Sequence, residues 1–237
     1  MKRLSWLPAG AVLHALACII MISPGTAGAR AGGLAETVDW RLITDREGIR
    51  VFAASSEASR VSAFRGEMQM RIDDFRGIAL RLDNYEAVAA WMHMVSAITE
   101  LDRRHDHDRD LYLTTHLPWP VRNRDVVLQI GLHQDPDDYT LTLQYDDIDR
   151  PGPVSPGYVR MPQMVGTLRF TPLEAPLVAV TFEVTADPGG AIPGWLSNML
   201  LRDIPYFSLY RLNRMINQTP LPERPYHPDI KAPPGWP

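Results

Sequence analysis

Apolar and polar residues alternate along most of the chain. In residues 64–72, 139–145 and 177–185, the apolar side chains of an extended backbone fall on one face and the polar ones on the other. Strands with this pattern bury one face, as the strands of antiparallel sheets do. Six more strands are predicted over 40–44, 49–54, 95–102, 110–116, 125–132 and 165–170.

Two short helices are predicted between the third and fourth strands. Asp73 or Asp74 can cap a helix over 75–82, and Asn84 can cap a helix over 85–91. These side chains accept hydrogen bonds from the free amides of a first helical turn. The run of strands resumes after the second helix.

A third and longer helix is predicted from residues 186–212. It is entered through Gly189 and Gly190, it is apolar almost all the way round, and it contains Pro205. A helix that is apolar on every side must be covered on every side, so we expect it to pack on the sheet. The order of elements predicts an α+β fold, with this helix on a curved antiparallel sheet.

The N-terminus has the pattern of a secretory signal peptide. Lys2 and Arg3 precede an apolar run over 9–22, and small residues follow up to Ala31. Cleavage fits after Ala29 or after Ala31, which predicts a secreted or periplasmic protein. A retained anchor is the alternative, but the run is shorter than the roughly 20 residues that span a bilayer.

The charge and cysteine content of the mature chain exclude some classes of function. Cys18, the single cysteine, lies in the apolar run in a poor context for a lipoprotein signal. Removing residues 1–31 takes Lys2, Arg3 and Arg30 with it, which leaves 21 basic against 28 acidic residues, a net charge of −7. Such a chain has no thiol chemistry and is not suited to nucleic acid.

The last 18 residues are rich in proline. Residues 220–237 contain seven prolines, which disfavours a helix or a central strand and predicts an extended segment. We therefore divide the chain into a signal peptide over 1–31, a domain over 32–219 and this tail. The tail either packs loosely along the domain or offers a partner a proline-rich motif.

No local motif for catalysis is found in the sequence. The run His105-Asp106-His107-Asp108 contains residue types that bind zinc. It joins two predicted strands beside three arginines, however, so a solvated hairpin turn is favoured. We expect neither a metal nor a cofactor.

Arg124 lies on the apolar face of the strand that it begins. By alternation it shares this face with Val126, Leu128 and Ile130. A lone buried charge is very costly. The guanidinium must therefore find a structural partner, such as an acid or backbone carbonyls at the end of the strand, or a polar group of a ligand.

Two stretches resemble the StAR-related lipid-transfer (START) domains. PWPVRNRD at 118–125 is similar to the family's P-[FW]-P-x-x-x-R-D stretch and is closest to the phosphatidylcholine-transfer branch. DPGGAIPGWLSN at 187–198 is similar to the family's N-P-G-G-x-[IV]-P-x-W-L-x-N, and Trp91 matches the tryptophan of its Y-R-x-x-W segment. The resemblance runs from about Trp40 to Ile216.

The resemblance implies a helix-grip fold with an internal apolar cavity for one lipid or similar molecule, normally without chemistry. The C-terminal helix would act as a lid, with Gly189, Gly190, Pro193 and Pro205 at its hinges. We expect a monomer that contacts membranes transiently. The residues expected to line the cavity are Met68, Met70, Trp119, Arg124, Leu128, Leu141, Leu143, Phe182, Trp195, Met199, Leu200 and Phe207.

The sequence departs from the family pattern in two places, and the first departure affects which ligand is expected. Ile130 stands where some members have the second arginine of an internal acid–base pair, and Thr114 and Thr115 stand where the acid would be. A less charged cavity floor favours a sterol-like or largely hydrocarbon ligand. The long N-terminal helix usual in the family also has little room between Ala31 and Trp40.

Two other functions are considered. An enzyme of the polyketide-cyclase type, on a related helix-grip fold, would need polar side chains that converge in the cavity, with Arg124, His116, Tyr145 and Glu183 as candidates. An interaction module that works through the proline-rich tail would lose function, but not lipid binding, when the tail is removed.

Overall fold

The computed structural model describes residues 39–55, 61–153 and 156–236. The predicted signal peptide, with Cys18 and both predicted cleavage sites, lies outside these residues. No helix in the described part of the chain has the combination of length and apolarity that crossing a bilayer requires.

The described residues form ten strands and three helices. Each strand and helix predicted from the sequence is present, with ends that differ by at most three residues except in the long C-terminal helix. A further strand of two residues is too short for alternation to reveal it. In chain order the elements are β1 (Arg41–Arg46), β2 (Ile49–Ser55), β3 (Ser62–Arg71), α1 (Gly77–Leu82), α2 (Tyr85–Trp91), β4 (Val95–His105), β5 (Asp108–Thr115), β6 (Arg124–Gln134), β7 (Leu141–Asp147), β8 (Val159–Arg160), β9 (Gln163–Pro172), β10 (Leu177–Asp187) and α3 (Gly194–Gln218).

All ten strands belong to one sheet. Their order is β1-β2-β3-β10-β9-β7-β6-β5-β4, and β8 lies beside β6. Neighbours along this order are antiparallel, whereas the short β6–β8 pair is parallel. The predicted antiparallel sheet with a long C-terminal helix is confirmed.

The alternation of β3 and β10 determines which face of the sheet is buried. Met68 lies opposite Val180 and Phe64 opposite Val184, and all four side chains are buried. Residues directly opposite each other in an antiparallel pair point to the same face. These strands therefore present a continuous apolar face to the inside of the domain.

Helix α3 crosses this face at Gly66 of β3. A Cβ atom at this position would lie 2.7 Å from Leu209 Cδ1 and 3.1 Å from Pro205 Cβ. Real Cβ atoms do not approach other atoms as closely as the first of these distances. The absence of a side chain at Gly66 thus allows the helix to lie directly on the strand.

The cap predicted for α2 is found, whereas the residue at the N-cap of α1 is Arg76, whose side chain makes no capping hydrogen bond. The amide of Ala87 donates to Asn84 Oδ1 at 3.1 Å, and the amide of Gly77 donates to Asp74 Oδ1 at 3.1 Å. Helix α2 has the predicted ends, whereas α1 begins at Gly77 and not at residue 75. At the start of each helix, one of the four free amides thereby finds a side-chain oxygen.

The long helix begins later than predicted. The first two residues of the predicted segment belong to β10, and the loop 188–193 precedes α3, which then runs to Gln218. Gly189 and Gly190 both have a φ of +64°, a left-handed conformation that favours glycine. The two glycines therefore make the turn between β10 and the helix.

The proline-rich tail packs on the domain up to Trp236. Ile230 is buried, and the ring of Trp236 meets that of Phe75 edge-on at 5.6 Å between centroids. Arg224 Nη2 donates to the carbonyl of Leu80 at 3.1 Å. The segment after α3 thus covers α1 and the residues just before it.

Candidate functional site

A pocket of about 550 Å³, called the main pocket below, lies between α3 and the sheet. Its volume is in the range of pockets that hold drug-sized ligands. Strands β3, β5 and β10 form one wall, α3 forms another, and the loops before β4, β6 and α3 close the ends. The walls are mainly apolar and include Phe64, Leu113, Phe182, Val184, Leu201 and Ile204.

Arg124 lies at one end of the main pocket and is 3% exposed. Its Nε donates to the carbonyl of Pro188 at 2.8 Å and its Nη2 to that of Gly189 at 2.9 Å. Its Nη1 donates to the carbonyl of Arg122. This side chain therefore ties the start of β6 to the loop that leads into α3.

The Arg124 guanidinium forms no salt bridge with a carboxylate of the described residues and donates instead to the three backbone carbonyls. Burial, and then the positive charge of Arg122, lower its pKa. Of the partners expected for this arginine, the structure shows backbone carbonyls. A positive charge consequently remains beneath the loop 188–190, at the edge of the pocket.

His93 is a polar residue of the main pocket that the sequence analysis did not select. It lies in the loop between α2 and β4, and its ring is 5.0 Å from that of Phe207 on α3. Its amide donates to Ser208 Oγ at 2.9 Å. Burial, followed by the charge of Arg211, lowers the pKa of the imidazole. The lowered pKa favours the neutral ring, and the loop contacts α3 through both ring and backbone.

A second pocket of about 60 Å³, the inner pocket, adjoins the main one. Met92, Leu113, Met164 and Phe182 line both pockets and form the partition between them. The inner pocket is enclosed by α2 and by strands of the sheet. None of the described residues that line it carries a charge.

The inner pocket includes the position at which some members of the family have a second arginine. Ile130 lines it, and Arg109 lies directly opposite Ile130 in the β5–β6 ladder. The guanidinium of this buried arginine pairs with Asp83 at 2.8 Å and with Tyr85 Oη at 2.8 Å. Burial raises the pKa of Tyr85 to about 12. Ile130 thus stands where the family arginine is missing, but a buried arginine on β5, Arg109, lies directly beside it.

Six predicted residues line a pocket. They lie on the inner face of the sheet, on α3 and in the loop before it. In the main pocket these are Arg124, Phe182, Gly190 and Leu200, and in the inner pocket they are Leu128 and Leu143, with Phe182 in both.

Seven predicted cavity residues line neither pocket. Alternation identifies the face of a strand but not the part of that face which the helix covers. Met68, Met70 and Leu141 are buried in the core, Met199 and Phe207 are half-buried on α3, and Trp119 and Trp195 are 91% and 58% exposed.

The predicted hinge residues lie around the start and the middle of α3. Gly189 receives the hydrogen bond from Arg124 Nη2, and Pro193 is the residue just before the first turn of α3. Pro205 is inside the helix and buried. The sequence analysis missed the lining residues Met92, Met94, Met161 and Met164, which lie in loops or at a strand end where no periodicity marks them.

The four candidate catalytic residues do not converge on the main pocket. Arg124 lines it, but His116 is exposed. Tyr145 Oη donates to the carbonyl of Glu183 at 2.8 Å, and burial raises the pKa of this phenol. The Glu183 carboxylate pairs with Arg65, which is directly opposite in β3.

The His-Asp run forms the turn between β4 and β5. Arg104 Nη2 contacts Asp108 at 3.1 Å and Asp110 at 2.6 Å, and the ring of His107 is 4.9 Å from that of His227 in the tail. Within the described stretches, no group of three or more His, Cys, Asp or Glu side chains is arranged to hold a metal ion. The Asp108 carboxylate of this run is thus paired with arginine.

Comparisons with known proteins cover most of the chain. The sequence profile of the START domain matches residues 41–217. A Pseudomonas aeruginosa protein named only as uncharacterized is 31% identical over 183 residues, which is 77% of this chain and 88% of that protein.

Solved structures show the same fold. A fragment of a StAR-related lipid transfer protein from Xanthomonas axonopodis is 32% identical, with a TM-score of 0.66 over 76% of this chain and 99% of that one. Human StAR-related lipid transfer protein 5 is 16% identical, with a TM-score of 0.68 over 78% and 89% of the two chains. The antiparallel sheet, the helix laid across its inner face and the profile match together establish that this chain belongs to the START domain family.

Proposed function

We propose that the protein is an exported lipid-binding and lipid-transfer protein that holds one apolar molecule in the main pocket under α3. The observation that carries this proposal is the pocket itself, about 550 Å³ in volume and walled by apolar side chains from the sheet and the helix. Carrying an apolar molecule through water requires an apolar pocket with few polar groups. Family membership supports the same function.

The ligand class follows from the walls. Phe64, Phe182 and Leu201 suit hydrocarbon, while Met92 and Met164 have flexible thioether side chains that adapt to ligands of different shape. A sterol, a phospholipid or a similar molecule fits this description. The motif at 118–125 further suggests a ligand like those of the phosphatidylcholine-transfer branch.

Membrane contact is proposed through two exposed tryptophans near the pocket. Trp119 is 91% exposed and lies two residues after Leu117, which lines the pocket; Trp195 is 58% exposed and follows Gly194, which also lines it. Tryptophan favours the interface between water and lipid. A monomer that presents these side chains to a bilayer would open its pocket where the ligand can leave.

The function is tested by native mass spectrometry of the full chain purified from cells, followed by lipid extraction. We expect one lipid molecule per chain, released by organic solvent and identified in the extract. A chain that is empty after purification, and that takes up no lipid from vesicles, contradicts the proposal. N-terminal sequencing of the secreted or periplasmic fraction tests export, with mature termini expected after Ala29 or Ala31.

A further inference from the structure

The indole N–H of Trp91 has no hydrogen-bond acceptor among the described residues. Trp91 is the last residue of α2 and is 3% exposed, and its Nε1 atom is buried. An indole nitrogen can only donate. A buried donor without an acceptor is costly, and buried tryptophans usually have a partner. The environment of this atom therefore points to an acceptor that the described part of the chain does not supply.

Trp91 lines the inner pocket, which offers space for such an acceptor. Its volume of about 60 Å³ exceeds the roughly 10–15 Å³ needed by one water molecule on this measure. It therefore admits an oxygen atom together with a few atoms attached to it. It does not admit a whole lipid.

The inner pocket is positioned as a continuation of the main one. Met92 and Met164 belong to the partition between them, together with Leu113 and Phe182. Methionine side chains rearrange more easily than branched or aromatic ones. A ligand that fills the main pocket can therefore reach the inner pocket with one end by displacing thioether groups.

The residues that line the inner pocket limit the charge that the entering end of the ligand can carry. None of the described residues that line the inner pocket is charged, and an ionised group buried without a partner is strongly disfavoured. Tyr145, which also lines it, already donates its hydroxyl hydrogen to the carbonyl of Glu183. An ionised carboxylate or phosphate is thus poorly suited to this position, whereas a neutral oxygen is well suited.

We propose that the inner pocket receives the leading end of the ligand, and that this end carries a neutral oxygen, as in an alcohol, a ketone or an ester, which accepts a hydrogen bond from Trp91 Nε1. The proposal rests on the proposed function, because the body of the ligand occupies the main pocket. Among the ligands proposed above it favours a lipid with a neutral head group, such as a sterol, over a phospholipid. This lipid would enter head first, with its hydrocarbon toward α3.

Two probes that differ only in the oxygen test this assignment. Dodecan-1-ol and dodecane, delivered from cyclodextrin to the full chain, are measured by displacement of a fluorescent dye bound to the protein. In Trp91→Phe, the ratio of the alcohol affinity to the alkane affinity should fall about fivefold relative to the wild type. This corresponds to the loss of one hydrogen bond of about 1 kcal/mol.

The matched control is Trp40→Phe, which makes the same chemical change at a half-buried residue that lines neither pocket. The affinity ratio should stay at its wild-type value in this variant. If both probes bind the wild type and the ratio is the same in Trp91→Phe, the assignment is overturned. If neither probe binds the wild type, the proposed function itself fails, so the two failures are distinguished.

A second measurement uses the wild-type chain and does not depend on the folding of Trp91→Phe. In protein labelled with ¹⁵N at its tryptophans, the Trp91 indole resonance is assigned by replacing the other tryptophans one at a time with phenylalanine. Dodecan-1-ol should move its proton downfield, and dodecane should not. Equal shifts with the two probes, or no shift with bound alcohol, overturn the proposal.

Discussion

Replacing Arg124 with methionine should destabilise the domain by about 2–4 kcal/mol. Methionine retains most of the apolar stem but removes the hydrogen bonds to the carbonyls of Arg122, Pro188 and Gly189. Each such bond contributes about 1 kcal/mol, and more when the donor is charged. The variant also no longer buries a cation without an acid, which offsets part of the loss. The net value is therefore smaller than the sum of three charged bonds.

The free energy of unfolding is measured by urea denaturation followed by tryptophan fluorescence. Hydrogen exchange at the amides of Gly189, Gly190 and Ala191 gives a local reading, and their protection should fall because the loop has lost its contact with β6. The matched control is Arg122→Met. Arg122 also donates to two carbonyls, at 3.1 and 2.7 Å, but it is exposed, so its loss should cost less than about 0.5 kcal/mol.

Equal stability of Arg124→Met and the wild type would show that Arg124 does not stabilise the domain. If Arg124→Met unfolds within about 0.5 kcal/mol of the wild type, the cost of burying the charge cancels its hydrogen bonds. If the exchange of the loop amides is also unchanged, Arg124 does not hold the loop in place. A loss of stability as large in Arg122→Met would show that burial is not the reason for the effect.

Three further predictions concern other parts of the domain. Gly166→Ala should cost more than about 2 kcal/mol in urea denaturation, because its Cβ would lie 2.1 Å from a backbone carbonyl oxygen of β10. Burial alone would raise the pKa of Asp125, but hydrogen bonds from Arg160 and Tyr112 outweigh it and the pKa is lowered. This carboxylate therefore stabilises the fold above its unfolded pKa of about 3.9, and the effect is lost as the pH falls through the lower folded value. Asp125→Asn should flatten that fall in a pH series of denaturation curves. Pro205→Ala should slow lipid exchange between vesicles more than it weakens equilibrium binding, because it restores a helix amide.

Each of these predictions has a control or a contrary result. Gly131→Ala places its Cβ no closer than 4.0 Å to any neighbour, so it should cost less than about 1 kcal/mol. An Asp125→Asn variant with the wild-type pH profile would show that this carboxylate does not contribute to acid unfolding. An unchanged exchange rate in Pro205→Ala would count against a hinge at that residue.

The sequence predicted strands such as β3 and β10 because each of them has one apolar, buried face. Phe64, Met68 and Phe182 all alternate with polar neighbours, and all are buried as expected. The cap at Asn84 was also predicted, because it depends on residues close in sequence. The face of each strand and the start of α2 are thus local properties.

The outline of the pocket was not predictable in the same way. Phe64 lines the main pocket but Met68, on the same face of β3, does not. The difference depends on where α3 crosses the strand, which is set by its close approach at Gly66. Met92 and His93 were missed because they lie in a loop, where no periodicity distinguishes a lining residue from a solvated one. Such contacts are made between residues far apart in the chain.

The packing of the tail extends the folding unit beyond the family match. The match ends at residue 217, yet Trp236 covers Phe75 and Ile230 is buried. A fragment cut where the match ends would expose part of the core and lose the bond from Arg224 to the Leu80 carbonyl. Deletion of the tail is therefore expected to disturb folding, so a loss of function after deletion does not by itself indicate a partner. A fragment meant for lipid assays should retain the chain through Trp236.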